Sequence, residues 1–238
     1  MQSSKVKTLL IYNFLKKYSD ADNPVSTTQL IELLSEHGIT CERKSIYSDI
    51  KALNNINVPV LSSSGAKKGF YLKERAFEPA EIKLLIDAVN SAGFITPKKT
   101  ADLTEKLKNL LSVNQANELT SQVYCEVANK CNNEEIYHTI NMLDVAIKNC
   151  EKVKFQYRTR KIDKEKKKSY TVKTFVVSPY GLVWKNDNYY LICNKESHDN
   201  LMSMRLDRIR NIIVSQIPSR PVWECCDYKD GFDIADYT

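Results

Sequence analysis

The chain has 238 residues, enough for one large domain or two small ones, and its hydrophobic fraction of 42% is that of a folded protein. No apolar run approaches the roughly 18 residues of a membrane span and the N-terminus lacks the apolar stretch of a secretory signal, so a cytoplasmic protein with no membrane partner is expected. The net charge of +6 is uneven: Lys+Arg against Asp+Glu run 11 to 7 in residues 1–75, 7 to 10 in 76–150, 16 to 7 in 151–220 and 1 to 5 in 221–238. Two basic segments flank an acidic middle, which suits polyanion contact at both ends and equally a set of solvated lysines.

Val6, Leu9, Leu10 and Phe14 recur at helical spacing and predict a first helix from about Ser4 to Tyr18 with one buried stripe. A second helix opens on the capping box Ser26/Gln29, with Val25 and Leu30 as a hydrophobic staple, and stops at Gly38. Thr40 is the expected N-cap of a third helix, whose Ile46, Ile50 and Leu53 share one face. Lys44, Tyr47, Ser48 and Lys51 occupy the opposite face, and Arg43 extends it at the N-terminal end. Two helices around a tight turn, the second with a basic polar outer face, describe a helix-turn-helix whose recognition helix can enter a major groove. On this helix alone the favoured reading is an ordinary three-helix core with a solvated lysine face.

The next stretch shifts that balance. Val58–Leu61 and Gly69–Leu72 flank a polar loop, Ser62–Lys68, and read as a hairpin with a basic, hydroxyl-rich tip that brings Lys67 and Lys68 to phosphates. Lys51, Lys67 and Lys68 are expected to hold phosphates, while Arg43, Lys44 and Tyr47 read bases, with Ser45 and Ser48 in the same helix segment. From Glu78 to Cys150 no strand-like run occurs. Helices are expected from Pro79 to Gly93, from Thr96-Pro97 through Leu103, Leu107, Leu110 and Leu111, around Leu119 and Val123, and from Asn133 through Ile136, Ile140, Leu143 and Ile147. Their apolar stripes serve an intramolecular core or, in part, a dimer surface.

Val153–Tyr157, three runs between Phe175 and Ile209, and Asn211–Val214 give about five strands at the even spacing of a small barrel, with a hairpin turn at Lys185–Asn188 and Pro179 at an edge or bulge. A concave face of that barrel would be lined by Tyr157, Ser178, Tyr180, Arg205 and Arg208, whose rings and guanidinium groups suit a planar anion. The opposing reading pairs Asp207 with a neighbouring arginine and half-buries the tyrosines. Lys161–Lys168 reads as a solvated hairpin loop and not as a site.

The set Val153-Lys-Phe-Gln-Tyr157, Ser178-Pro-Tyr-Gly-Leu182, Tyr189-Tyr-Leu191 and Arg205-Leu-Asp-Arg-Ile209 resembles, in order and spacing, the WYL domain of bacterial regulators, a small SH3- or Sm-like barrel. Tyr189 stands where the family has tryptophan. The order helix, helix, recognition helix, hairpin is similar to the winged DNA-binding domains that precede WYL barrels, with Ser48 where an arginine is usual. The resemblance implies that Tyr157, Tyr180, Arg205 and Arg208 sense a nucleotide or single-stranded nucleic acid. Asp230–Thr238 resembles the entrance to a further C-terminal domain.

The expected fold is α+β: a winged helix-turn-helix over 1–75, a helical linker or dimerisation segment over 76–132, a WYL domain over 133–220 and a tail over 221–238. Cys41, Cys125, Cys131, Cys150, Cys193, Cys225 and Cys226 form no Cys-x-x-Cys pair and read as reduced thiols, with no metal site and redox sensing at Cys225-Cys226 left open. Six glycines have no phosphate-loop spacing, and His37, His138 and His198 are isolated, so no cofactor and no enzyme are expected. The functional expectation is a homodimeric transcriptional regulator that binds double-stranded DNA and an effector. The alternative is an accessory RNA- or single-strand-binding module of a phage-defence system.

Overall fold

The computed structural model describes residues 4–119, 130–162 and 168–225. The chain divides into two compact units, Met1–Ser91 with Lys98–Glu126, and Ala92–Pro97 with Val127–Thr238.

The first unit begins with α1 (Ser4–Tyr18), α2 (Thr27–Glu36) and α3 (Arg43–Asn55), followed by the antiparallel hairpin β1 (Val60–Ser63) and β2 (Gly69–Leu72). The capping box holds α2 as expected: Ser26 Oγ accepts the Gln29 N–H at 3.2 Å and the Gln29 side chain accepts the Ser26 N–H at 2.8 Å. Gly38 ends the helix at φ +72°, a conformation that costs other residues a clash of Cβ with the chain. Thr40 does not cap α3; Glu42 holds that position and its side chain makes no cap hydrogen bond.

The buried stripe of α1 also differs from expectation. Val6 and Leu9 are 42% and 59% exposed, whereas Ile11, Phe14 and Leu15 are buried with Leu30, Leu34, Ile46, Ile50 and Leu53. One turn further back that inner face carries Lys7 and Thr8, which both bond to the carboxylate of Asp49 on α3. An ion pair, not an apolar contact, therefore continues the interface, and the helix is rotated from its hydrophobic pattern.

The hairpin is seated by backbone. Val25 and Phe70 exchange N–H···O bonds of 2.9 and 2.8 Å. A Cβ on Gly69 would lie 2.6 Å from the Val25 carbonyl oxygen, so only glycine lets the two chains approach this closely.

Three helices complete the unit: α4 (Pro79–Ser91), α5 (Pro97–Lys108) and α6 (Val113–Glu118). Ile82 and Ile86 of α4 pack with Leu107, Leu110 and Leu111. The α4 helix stops at Ser91, two residues before the expected Gly93. A second capping box, Ser112/Gln115, opens α6, and Ser112 Oγ also donates to Asp20 at 2.6 Å, which ties this helix to the loop after α1. Leu119 follows α6 as its C-cap, and Val123 lies outside the described residues.

In the second unit α7 (Ile136–Asn149) packs on a five-stranded antiparallel sheet of order β6-β5-β4-β3-β7. Its strands are β3 (Glu151–Ile162), β4 (Lys168–Lys185), β5 (Asn188–Asn194), β6 (Leu201–Arg205) and β7 (Ile209–Pro218). Asn133 lies just outside α7: its side-chain oxygen accepts the Glu135 N–H, and its amide donates to the carbonyls of Asp207 and Ile209. Asn186 and Asp187 are both left-handed, the two-residue turn that matches strand twist, so the hairpin at Lys185–Asn188 is as read. Tyr180 is the extra residue of a bulge between Pro179 and Gly181.

The sheet is open, which corrects the expected closed barrel. Its outer strands β6 and β7 do not pair among the described residues; the three-residue turn Leu206–Arg208 carries the chain from one to the other. Buried Leu206 and the inner face of α7, with Ile136, Leu143 and Ala146, supply apolar cover there in place of strand pairing.

Candidate nucleic-acid and effector sites

The outer face of α3 assembles as the spacing implies. Arg43, Lys44, Tyr47, Ser48 and Lys51 are exposed, while Ile46, Ile50 and Leu53 are buried beneath them. Ser45 is different: half-buried, it receives a hydrogen bond from Lys7 and turns toward α1. Tyr47 stands edge-on to Phe70 of the hairpin at 5.4 Å, and its hydroxyl is hydrogen-bonded by Arg43 and by Thr27. The Arg43 bond in particular stabilises the phenolate and holds this hydroxyl below the usual phenol range.

Between these groups lies a cleft of about 580 Å³, lined by Thr27 and Thr28 of the first turn of α2, Arg43 and Tyr47 of α3, and the hairpin residues Ser62–Ser64 and Lys68. The cleft thus collects the cations Arg43 and Lys68 with the hydroxyls of Thr27, Thr28, Tyr47 and Ser62–Ser64, at the N-terminal end of α2 where a helix favours negative charge. Thr27 and Thr28 were not singled out by spacing, although the capping box that starts α2 marks them. Lys68 is exposed at the cleft. Lys67 is held away, its Nζ donating to the Asp22 carbonyl (3.1 Å) and to Asn23 Oδ1 (2.9 Å).

In the second unit the five expected effector residues do not meet in one place. Tyr157 and Arg205 do: the Arg205 N–H donates to the Tyr157 hydroxyl at 3.3 Å, and Tyr190 stands opposite Arg205 across β5–β6. Asp207 takes Arg205 as a fork, Nε to Oδ1 at 3.0 Å and Nη2 to Oδ2 at 2.8 Å, and this bond raises the guanidinium further above its ordinary value. Arg208 follows in the same turn, half-buried and in no ion pair among the described residues.

Ser178 and Tyr180 belong to another neighbourhood. The segment after β7 crosses them: the Arg220 N–H donates to Ser178 Oγ (2.9 Å), and the Tyr180 hydroxyl donates to the Arg220 carbonyl (2.8 Å) with Cys225 Sγ at 3.5 Å. Burial pushes the Tyr180 hydroxyl well above the usual phenol range. Bonds to residues some forty positions away use these two side chains, and no local pattern announced it.

Tyr189, in the place of the family tryptophan, packs on Trp184 across the hairpin at 5.4 Å, and buried Phe94 stands edge-on to both at 5.0 and 4.9 Å. Residues 138–214, from α7 into β7, match the family model of the WYL domain. That stretch is a WYL domain. Its Tyr189–Leu191 lies on β5, with Leu191 fully buried and Tyr190 beside Arg205. No curated protein matches the chain. Among solved structures, the chain is similar to proteasome accessory factor B/C of Arthrobacter aurescens at 16% identity and a TM-score of 0.30, over 97% of this chain and 35% of that one. The chain thus spans about a third of the length of that protein.

Among the described residues no group of three or more His, Cys, Asp and Glu side chains could hold a metal ion, and no helix is long and apolar enough to cross a membrane. Cys125 and Cys226 lie outside the described residues, as do the tail from 226 onward and residues 163–167 of the Lys161–Lys168 loop.

Proposed function

We propose that this chain is a transcriptional regulator without catalytic activity. Its first three helices and hairpin act as a winged helix-turn-helix on operator DNA, and its WYL domain senses a nucleotide or nucleic-acid-like effector. The observation that carries the reading is the exposed row Arg43, Lys44, Tyr47, Ser48 and Lys51 on a helix whose opposite face is fully used by the core, beside a hairpin that brings Lys68 to the same cleft. Polar side chains on such a helix face reach base edges while cations at its rim hold phosphates. Ser45 and Lys67, occupied within the fold, contribute to the frame and not to the contact.

In this reading Arg205, Arg208, Tyr157 and Tyr190 form the effector site. Asp207 uses only part of the five-donor guanidinium of Arg205, so an anionic oxygen can share it. The protein works in the cytoplasm as a homodimer, which two DNA half-sites require, with helices of the 76–132 segment as the contact. The effector acts by binding one arrangement of the dimer more tightly than another.

Binding to duplex carrying the native upstream region, against scrambled duplex and single strands across a salt series, tests this. Preference for the native duplex, lost in a K44A/Y47A variant, is the expected result. Equal binding of both duplexes, with tighter single-strand binding that needs Arg205, would sink it in favour of a single-strand-binding module.

A further inference from the structure

The strands β3 and β4 run on beyond the sheet. Pairing of β7 with β3 ends at Tyr157↔Ile209, whereas β3 and β4 remain in register for five more pairs, from Arg158↔Val172 to Ile162↔Lys168. At about 3.4 Å per residue these pairs make a two-stranded ribbon that extends roughly 15 Å, with no third strand beside it among the described residues. Their ten positions hold four cations, Arg158, Arg160, Lys161 and Lys168, and no acid. In the register each cation stands opposite an uncharged residue.

The base of the ribbon continues the pattern. Lys154 shares the face of Arg158, and Lys173 lies on the other face opposite Tyr157. Lys154, Arg158 and Lys173 are exposed and in no ion pair among the described residues. The Arg158 guanidinium lies over the ring of Tyr170, 4.7 Å from its centre, with that ring 54% exposed. The contact stiffens both side chains while leaving the charge outward. An isolated two-stranded ribbon gains little stability by itself, and concentrating like charge on it costs more, so the arrangement is costly without a polyanion to receive it.

We propose that the β3–β4 ribbon is a second nucleic-acid contact, a basic arm that enters the major groove of duplex DNA and holds its phosphates. A two-stranded ribbon fits that groove, as a helix does. The contact does not depend on α3 being a recognition helix.

Anisotropy titrations of the full chain with a scrambled duplex of about three helical turns, over a salt series, test it. The triple variant K154A/R158A/K173A is compared with R43A/K44A/K51A and with both sets combined, and thermal melts check that each is folded. Each lost phosphate contact flattens the log K against log salt slope by about 0.9, so the ribbon variant is expected to lose between about one and three units of slope. It should do so in either background, and restoring Arg158 as lysine should recover part of the loss. An unchanged slope and affinity in the ribbon variant would overturn the arm, as would failure of the unaltered chain to bind duplex or retention of the full effect on single strands alone. Loss of native-sequence preference only in the α3 variant reports on the recognition helix, so the two readings fail separately.

Discussion

Lys7 Nζ lies 2.8 Å from Asp49 Oδ2, with only 13% and 9% of the two side chains exposed, and Thr8 bonds the second carboxylate oxygen at 2.7 Å. This pair joins α1 to the inner side of α3, directly behind the face that presents Lys44, Tyr47 and Ser48. Removing one partner of a buried pair leaves an uncompensated charge, at a cost of about 3–5 kcal/mol. D49A should therefore lose about 3 kcal/mol of unfolding free energy in urea titrations. K7M/D49L, which removes both charges, should lose clearly less, and equal losses in the two variants would show that the pair is not the source.

Gly69 carries a second, sharper constraint. A Cβ there meets the Val25 backbone at 2.6 Å, so neither neighbour can yield by a side-chain rotation. G69A should break the Val25–Phe70 bridge and cost about 1–3 kcal/mol. Hydrogen exchange is the direct measurement: the Val25 and Phe70 amides should lose protection ahead of those in α1.

The Tyr47 hydroxyl is held low chiefly by its hydrogen bond from Arg43, which favours the charged phenolate. Removing the guanidinium removes that preference, so R43A should move the Tyr47 titration upward, toward the ordinary phenol value. Carbon NMR of ring-labelled tyrosine, with Y47F to assign the resonance, reads the shift. No movement in R43A would mean that Thr27 alone sets it. Phosphate or duplex binding at the neighbouring cleft should perturb the same resonance.

Thiol reactivity offers a check on the WYL domain. Cys193 is fully buried and burial pushes its thiol up to about 12, whereas Cys150 is exposed at the end of α7. Because the thiolate is the reactive form, Cys193 should resist iodoacetamide at pH 8 and Cys150 should be modified first. Peptide mass spectrometry over time gives the order, and early labelling of Cys193 in the folded chain would contradict the packing of β5.

Much of this molecule was legible in short stretches. Ser26 and Gln29 announce α2, Ile46, Ile50 and Leu53 orient α3, and Asn186-Asp187 turn β4 into β5, because caps, helical periodicity and left-handed turns depend on residues within four positions of one another. What those patterns could not contain is who meets whom across the chain. Lys7 and Thr8 look like the polar side of α1 until Asp49 makes them its inner face, and the apolar Val6 and Leu9 turn outward as a result. Ser178 and Tyr180 have the chemistry of a ligand site until Arg220 crosses them, and the ends of a lysine-rich loop, Lys161, Ile162 and Lys168, are only loop until they pair with the flanking residues into a ribbon. Residue types set what each position can bond. Only the closing of long-range pairs, each in competition with water and with every other partner, settles which of those bonds form.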